Sequence, residues 1–340
     1  MDSRLDLLSD FGYSKDPFES FRMETTDTQR IKRIVSMAID SRAMISIIGA
    51  RGYGKTGAIK AALDGRENVV EVRILSSDIE SIKIPDILYE MVLALRTDPT
   101  EQPRRSRTVR AHQVRRLAGE AVKTGKKNIV LILEESHRYH HQTLRSLKTL
   151  REMDYAGVAP LFTLIFAGQF DPLKSPGVDE VRLRTDKIEM KGLTPMEVKR
   201  YIAETVGRCF EDDASEAISR LGRYVAANGE KCQVRNFLEL QELLCELMDT
   251  ALRHGHKKVR SIDVFSYTGG GLKELRKASG LSLGDMEEKT GISKTELSLI
   301  ENDKPHTLSQ ERVMTTRNAV LSVVAKHMGE KKVEAEAKTA

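Results

Sequence analysis

Gly49-Ala-Arg-Gly-Tyr-Gly-Lys-Thr56 fits the phosphate-binding spacing G-x-x-x-x-G-K-[ST]. It follows the apolar, β-branched run Met44-Ile-Ser-Ile-Ile48 and precedes Gly57-Ala-Ile-Lys-Ala-Ala-Leu63, which reads as a helix. Strand, loop and helix in that order are what the motif requires. Glycine at 49, 52 and 54 frees the loop of Cβ atoms, so its N–H groups can turn inward around phosphate oxygens. Lys55 then pairs with the outer phosphates, and Thr56 offers a hydroxyl to magnesium. The candidate nucleotide contacts are Gly49, Ala50, Arg51, Gly52, Tyr53, Gly54, Lys55, Thr56 and Gly57, and the ligands they imply are ATP and Mg2+.

Asn128-Ile-Val-Leu-Ile-Leu-Glu-Glu135 is the second informative stretch. A continuous apolar run is the pattern of a strand buried on both faces of a parallel sheet, and ligands bind at the C-terminal ends of such strands. Two carboxylates at that end are costly unless they meet a cation. Glu134 is the candidate magnesium ligand, and Glu135 the group that positions or deprotonates attacking water. Aspartate is the usual residue at the first of these positions. The extra methylene of Glu134 moves the carboxylate relative to an ion that demands near-octahedral geometry, so slow or conditional hydrolysis is expected.

Composition sets the class. The chain has 340 residues, 40% hydrophobic and 31% charged, which suits two or three soluble domains. Met1-Asp-Ser-Arg-Leu-Asp6 lacks the apolar centre of a signal peptide, and no run approaches a membrane span, so a cytoplasmic protein without a membrane role is expected. Cys209, Cys232 and Cys245 lack metal-ligand spacing and read as structural thiols in a reducing compartment. The net charge of +5 is mild, but basic residues crowd into Arg104-Arg-Ser-Arg-Thr-Val-Arg-Ala-His-Gln-Val-Arg-Arg116. Clustered arginines neutralise phosphates and release counterions, which makes Arg104, Arg105, Arg107, Arg110, Arg115 and Arg116 candidate contacts to double-stranded DNA. A solvated helix face is the alternative reading of the same residues.

The remaining elements follow from periodicity. Thr26 to Ile39 is a capped helix leading into the first strand, and Phe18 before it either stacks on a base or anchors the N-terminal arm. Val69–Leu75 and Leu161–Ala167 are strands, and Ile82–Leu95 is a helix. His140–Met153 is a helix with an apolar stripe beside a basic one of Arg145, Lys148 and Arg151, which is either solvated or a further DNA contact. Gln169 stands at the end of the Leu161–Ala167 strand, within reach of a γ-phosphate or its water. From Thr194-Pro-Met-Glu197, a capping box with proline at the first helical position, to about residue 265 the pattern is helical throughout. Gly269-Gly-Gly271 is a plausible hinge before short helical patterns at Leu272–Ala278, Leu283–Thr290 and Lys294–Glu301.

The expected fold is therefore α/β: a P-loop ATPase core with a parallel sheet, an α-helical lid and a C-terminal all-α domain. Its boundaries are an arm and leading helix at 1–40, the core at 41–192, the lid at 193–266, the small domain at 267–328 and a tail at 329–340.

Asp16-Pro-Phe18, the Gly49–Thr56 loop, the acidic strand end with Ser136-His-Arg138, and Phe166-Ala-Gly-Gln169 together resemble AAA+ ATPases of the ExeA and TnsC type. Val181-Arg-Leu-Arg184 before Gly192-Leu-Thr194, and Gly229-Glu-Lys-Cys-Gln-Val-Arg-Asn236, belong to the same pattern, which spans roughly residues 10 to 266. The resemblance implies that Gln169 is a sensor, that Arg235 senses the γ-phosphate from the lid, and that Arg182 or Arg184 reaches a neighbour's nucleotide. An arginine supplied in trans implies a homo-oligomer, ring or helical filament. The basic run starting at Pro103 is similar to that of the Mu B type within this group, ATP-dependent DNA-binding partners of a transposase. In that type the small helical domain precedes the ATPase, whereas here it follows.

Residues 272–304 also resemble a Cro-like helix-turn-helix whose second helix begins at Lys294 and Thr295. Lys294 and Thr295 are candidate DNA contacts; Glu296 on that helix weakens the case for base reading, and DNA contact without sequence preference and docking to a protein stand beside it as alternatives. The resemblance implies an oligomerising ATPase that marks target DNA and activates a transposase. The alternatives are a nucleotide-binding transcription regulator, a replication initiator, and an ExeA-type secretion motor. A Glu134→Asp variant is expected to hydrolyse ATP faster than the parent chain in a steady-state assay, and equal rates would remove the argument from geometry.

Overall fold

A central five-stranded sheet carries the first of two structural units in the computed structural model, Glu24–Gly192. The structure describes residues 3–19, 21–74, 82–174, 177–226, 229–268, 272–273, 276, 280–302, 308–309, 311–313, 315–320 and 322–324. The expected hinge at 269–271, most of the Leu272–Ala278 helix and the tail at 329–340 lie outside the described residues.

The strands are β1 (Met44–Ile48), β2 (Val69–Ile74), β3 (Asn128–Leu133), β4 (Phe162–Gly168) and β5 (Thr185–Glu189). They run parallel in the order β2-β3-β4-β1-β5. β1 and β4 are buried along their whole length, as their mainly apolar sequences require, with Ser46 and Thr163 the polar residues among them. The edge strands alternate instead, and β5 exposes Asp186, Lys187 and Glu189.

Side chains of period two send alternate residues to opposite faces. Ile45, Ile47, Val130, Ile132 and Ile165 pack on one face with α2 (Thr26–Ser41) and α3 (Lys55–Leu63). Ile129, Leu131, Leu133, Leu164 and Phe166 pack on the other, with α4 (Ile84–Leu95), α5 (Arg107–Lys123) and α6 (His141–Arg151). Each fully buried aliphatic chain contributes about 1.5–3 kcal/mol, so the sheet's two faces are the main source of this unit's stability. A short helix, α7 (Asp179–Arg182), precedes β5.

The second unit joins Met1–Met23 to the chain from Leu193 onward. The arm at its start, with α1 (Arg4–Asp10), therefore packs separately from α2, although the sequence suggested one N-terminal segment. Its helices include α8 (Pro195–Thr205), α9 (Asp212–Arg220), α10 (Phe237–Arg253) and α11 (Ser261–Thr268). Thr194 caps α8 through the expected box with Glu197. The stretch is not wholly helical: β6 (Arg223–Val225) and β7 (Lys231–Gln233) pair antiparallel, burying Tyr224 and Cys232 on the same side. Strands of three residues are too short to show a period, which is why the sequence pattern missed them.

Further along this unit, α12 (Leu283–Thr290) and α13 (Lys294–Glu301) meet at Gly291, whose φ of 71° provides the left-handed turn between them. Ser282 and Ser293 cap the two helices. Leu281, Met286, Ile292, Leu297 and Ile300 form their shared core. Arg276 and Glu301 are paired beneath it, with side chains 8% and 3% exposed. All three cysteines are free and buried. Among the described residues no helix is long and apolar enough to cross a membrane.

Gly119 of α5 lies against an aromatic ring: a Cβ there would come within 2.0 Å of Tyr155 Cγ. Overpacking of this kind costs about 1–3 kcal/mol. Gly119→Ala is therefore expected to lower the melting temperature by several degrees in a thermal denaturation, and an unchanged midpoint would mean that the ring moves aside freely.

Candidate functional site

The loop from Gly49 to Gly54 leaves β1 at the sheet's C-terminal edge and turns into α3. Gly52 and Gly54 take φ of 88° and 81°, a region that residues with a Cβ rarely enter. At Gly49 the constraint is space, since a Cβ would sit 3.1 Å from Met190 Cβ. α3 begins at Lys55 with no side-chain cap, so the first N–H groups of the helix point outward as donors with the positive end of its dipole. Nothing lies within 4 Å of a Cβ built at Gly57. Arg51 and Thr56 are exposed, and Tyr53 is half-buried.

Lys55 is only 9% exposed, and its Nζ donates to the backbone oxygens of Gly49 at 2.7 Å and Ala50 at 3.0 Å. Burial pushes its pKa down, while Glu135 and Glu134 pull it back up. The acids that end β3 therefore face the loop that follows β1. Thr56 Oγ1 donates to Glu134 Oε2 at 3.0 Å, and the other oxygen of Glu134 is held by Arg73 of β2, which also pairs with Glu71. Glu135 takes φ of 47°, and His137 Nε2 is 3.6 Å from its Oε2. Burial pushes the His137 imidazole down, so it is neutral near pH 7. Its Nδ1 accepts from the backbone N–H of Gln169 at 3.3 Å, which ties the end of β4 to the acidic turn. Ser136 Oγ makes a second tie, to the Ala167 oxygen at 3.1 Å.

Loop, acids and Gln169 thus converge on one edge of the sheet. The donor set fits a nucleotide with its ion: N–H groups and an ammonium for phosphate, a hydroxyl and a carboxylate within hydrogen-bond distance of each other for magnesium. Arg73 was not among the residues that the sequence pointed to. A cation in the second half of β2, level with the end of β3, was the available sign.

Other candidates are placed differently. Phe18 is 4% exposed and stacks on Tyr201 with its centroid 6.1 Å away, while the Arg4 guanidinium lies over its ring. It is an anchor of the arm within the helical unit, buried against these partners, so it leaves the nucleotide set. Arg235 is exposed on that unit, next to Asn236, which caps α10. Arg182 and Arg184 are half-exposed, paired with Asp179 and Glu152, and flank Leu183, which is 82% exposed.

The basic segment divides in two. The guanidinium groups of Arg104, Arg105 and Arg107 make no hydrogen bond or ion pair among the described residues, and all three are exposed. Arg110 instead donates to the oxygens of Arg104 and Pro85 and lies over the Tyr89 ring. Arg115 pairs with Asp154, and Arg116 with Glu101 and Glu120. These three were expected to face phosphate; they brace α5 against its neighbours. The stripe on α6 is likewise engaged: Arg145 donates to the Gly177 oxygen and Lys148 pairs with Glu180. Arg151 is half-buried, and burial lowers its pKa.

On α13, Lys294 and Thr295 are exposed, with Lys294 3.4 Å from Glu287. Glu296 is not the outward acid that the sequence suggested, because Arg312 and Thr316 bind its carboxylate and hold its pKa below the usual range.

Comparison with known proteins bears on this arrangement. Residues 38–173 match the family model of an AAA domain, and residues 272–314 match that of a helix-turn-helix. No curated protein matches the chain. Among solved structures, Cdc6p from Pyrobaculum aerophilum is similar over 96% of this chain and 89% of its own, with a TM-score of 0.53 at 14% identity. The Aeropyrum pernix ORC2 protein, solved as ADPNP–ADP complexes, is similar over 92% of this chain and 97% of its own, with a TM-score of 0.50 at 13% identity. At such identity the likeness concerns the fold. The chain therefore carries an AAA domain of P-loop fold, built on a parallel five-stranded sheet, and a C-terminal helix-turn-helix.

Proposed function

We propose that this protein is an ATP-dependent DNA-binding ATPase that assembles on double-stranded DNA and presents it as a target to a transposase. The observation that carries the nucleotide half is the meeting of Lys55, Thr56, Glu134 and Glu135 at one sheet edge. Phosphate oxygens would take over the Lys55 ammonium from two backbone oxygens and accept from the open start of α3. Thr56 and Glu134 would hold magnesium, which when bound neutralises charge on the phosphates. Glu135 is the base or water-positioning group, with neutral His137 beside it, and Gln169 is tied to the same turn through its backbone.

The DNA half rests on Arg104, Arg105 and Arg107, exposed and free to meet phosphate, with the helix-turn-helix as a second contact. Arg235 is proposed to sense the γ-phosphate, and Arg182 or Arg184 to reach the site from a neighbouring copy. Transposition is the finer step and rests on the resemblance of the basic segment. Replication initiation is the second reading, favoured by the end-to-end likeness to Cdc6p and ORC2.

Negative-stain microscopy on a random-sequence duplex, with ATP, ADP or a Lys55→Ala variant, separates these readings. Rings or filaments with ATP alone are expected; monomers bound at one site whatever the nucleotide would sink the proposal, and a preferred origin-like sequence would favour the initiator. Replacing Arg104, Arg105 and Arg107 together with alanine should weaken DNA binding and flatten its dependence on salt by nearly one unit of slope per arginine.

A further inference from the structure

His254, His256 and Asp263 lie in the helical unit, outside every site described above. His254 is the residue after α10, His256 sits in the turn beyond it, and Asp263 is in the first turn of α11. Their donor atoms all lie within 4.8 Å of one another. Nδ1 of His254 is 2.7 Å from Asp263 Oδ1, and Nδ1 of His256 is 2.9 Å from the same oxygen. The carboxylate is fully buried, whereas the imidazoles are 40% and 22% exposed.

We propose that these three side chains form a binding site for a divalent transition-metal cation of the zinc type. Two imidazole nitrogens and one carboxylate oxygen are a donor set that zinc favours over magnesium or calcium, which take oxygen ligands. Four-coordinate zinc with bonds of about 2.0–2.1 Å spaces its ligands roughly 3.3 Å apart, so side-chain adjustment within one turn brings the three donors to bonding positions. Both histidines then carry their hydrogen on Nε2 and offer the Nδ1 lone pair to the ion. The Arg260 backbone N–H already donates to Asp263 Oδ2 at 2.9 Å and fixes the carboxylate from behind, as outer-shell partners do. A bound ion would cross-link the end of α10 to the start of α11. It would raise stability without touching the P-loop.

The test uses the full chain, free of nucleotide, after chelator treatment and dialysis. Titration with Co2+ should develop the visible absorption of a four-coordinate site at one ion per chain, and Zn2+ should displace it. Zn2+ should also raise the melting temperature. His254→Gln and His256→Gln, at partly exposed positions that tolerate the change, should each weaken Co2+ binding by more than the 10–100-fold that loss of an outer-shell partner costs. Both should also abolish the Zn2+-dependent thermal shift. Should Asp263→Asn fail to fold, the two histidine variants still decide the matter. A parent chain without absorption or thermal shift would overturn the proposal and leave a hydrogen-bonded clamp. Binding that survives in the double histidine variant would overturn it equally.

Discussion

A primary ammonium almost wholly shielded from water has to be solvated by something, and the Lys55 side chain is in that position. Desolvation works against its charge, and the surrounding structure answers with two backbone oxygens and the field of two carboxylates. The oxygens belong to the loop itself, while the carboxylates come from the end of β3, which β4 separates from β1 in the sheet. Even the strained backbone of Glu135 fits this account. A non-glycine residue at positive φ costs about 1–2 kcal/mol, and here the bonds of Ser136 and His137 to the end of β4 hold the turn.

The Glu134 carboxylate is bound on both oxygens, by Thr56 and by Arg73. An aspartate at that place would be one methylene shorter, so the reach that serves both partners here is that of the longer side chain. The glutamate thus has a structural reason that geometry around magnesium alone does not reveal. Arg73 also couples the acid to the edge strand β2, so a change at that edge bears directly on the site.

The sheet was legible because buried parallel strands are mainly apolar runs, and the phosphate loop because its glycines have no substitute at those φ values. The same holds for the Thr194 cap of α8 and the αL glycine between α12 and α13. What escaped the sequence was partnership. Arg104 and Arg110 look alike in a basic run, yet the first is open and the second is bound to two backbone oxygens and an aromatic ring. Glu296 is turned inward by Arg312, and Phe18 by Tyr201, through contacts that only tertiary structure supplies. α5 shows the cost of its composition: its first turn holds Arg107 and Arg110 but no acid, and Ser106 makes no capping bond, against the preference of the helix dipole. Packing of Val114, Leu117 and Ala118 into the core holds the helix in place of those local terms.

The two border strands of the sheet have a consequence for how copies of the chain can meet. β2 exposes Glu71 beside Arg73, and β5 exposes Asp186, Lys187 and Glu189. Charged side chains along an unpaired strand discourage a foreign strand from adding its backbone there, the commonest route to runaway aggregation. Growth by continuous hydrogen-bonded ladders is thus disfavoured at both borders. Contact between molecules falls to side-chain surfaces, which can be made and unmade without rebuilding a sheet.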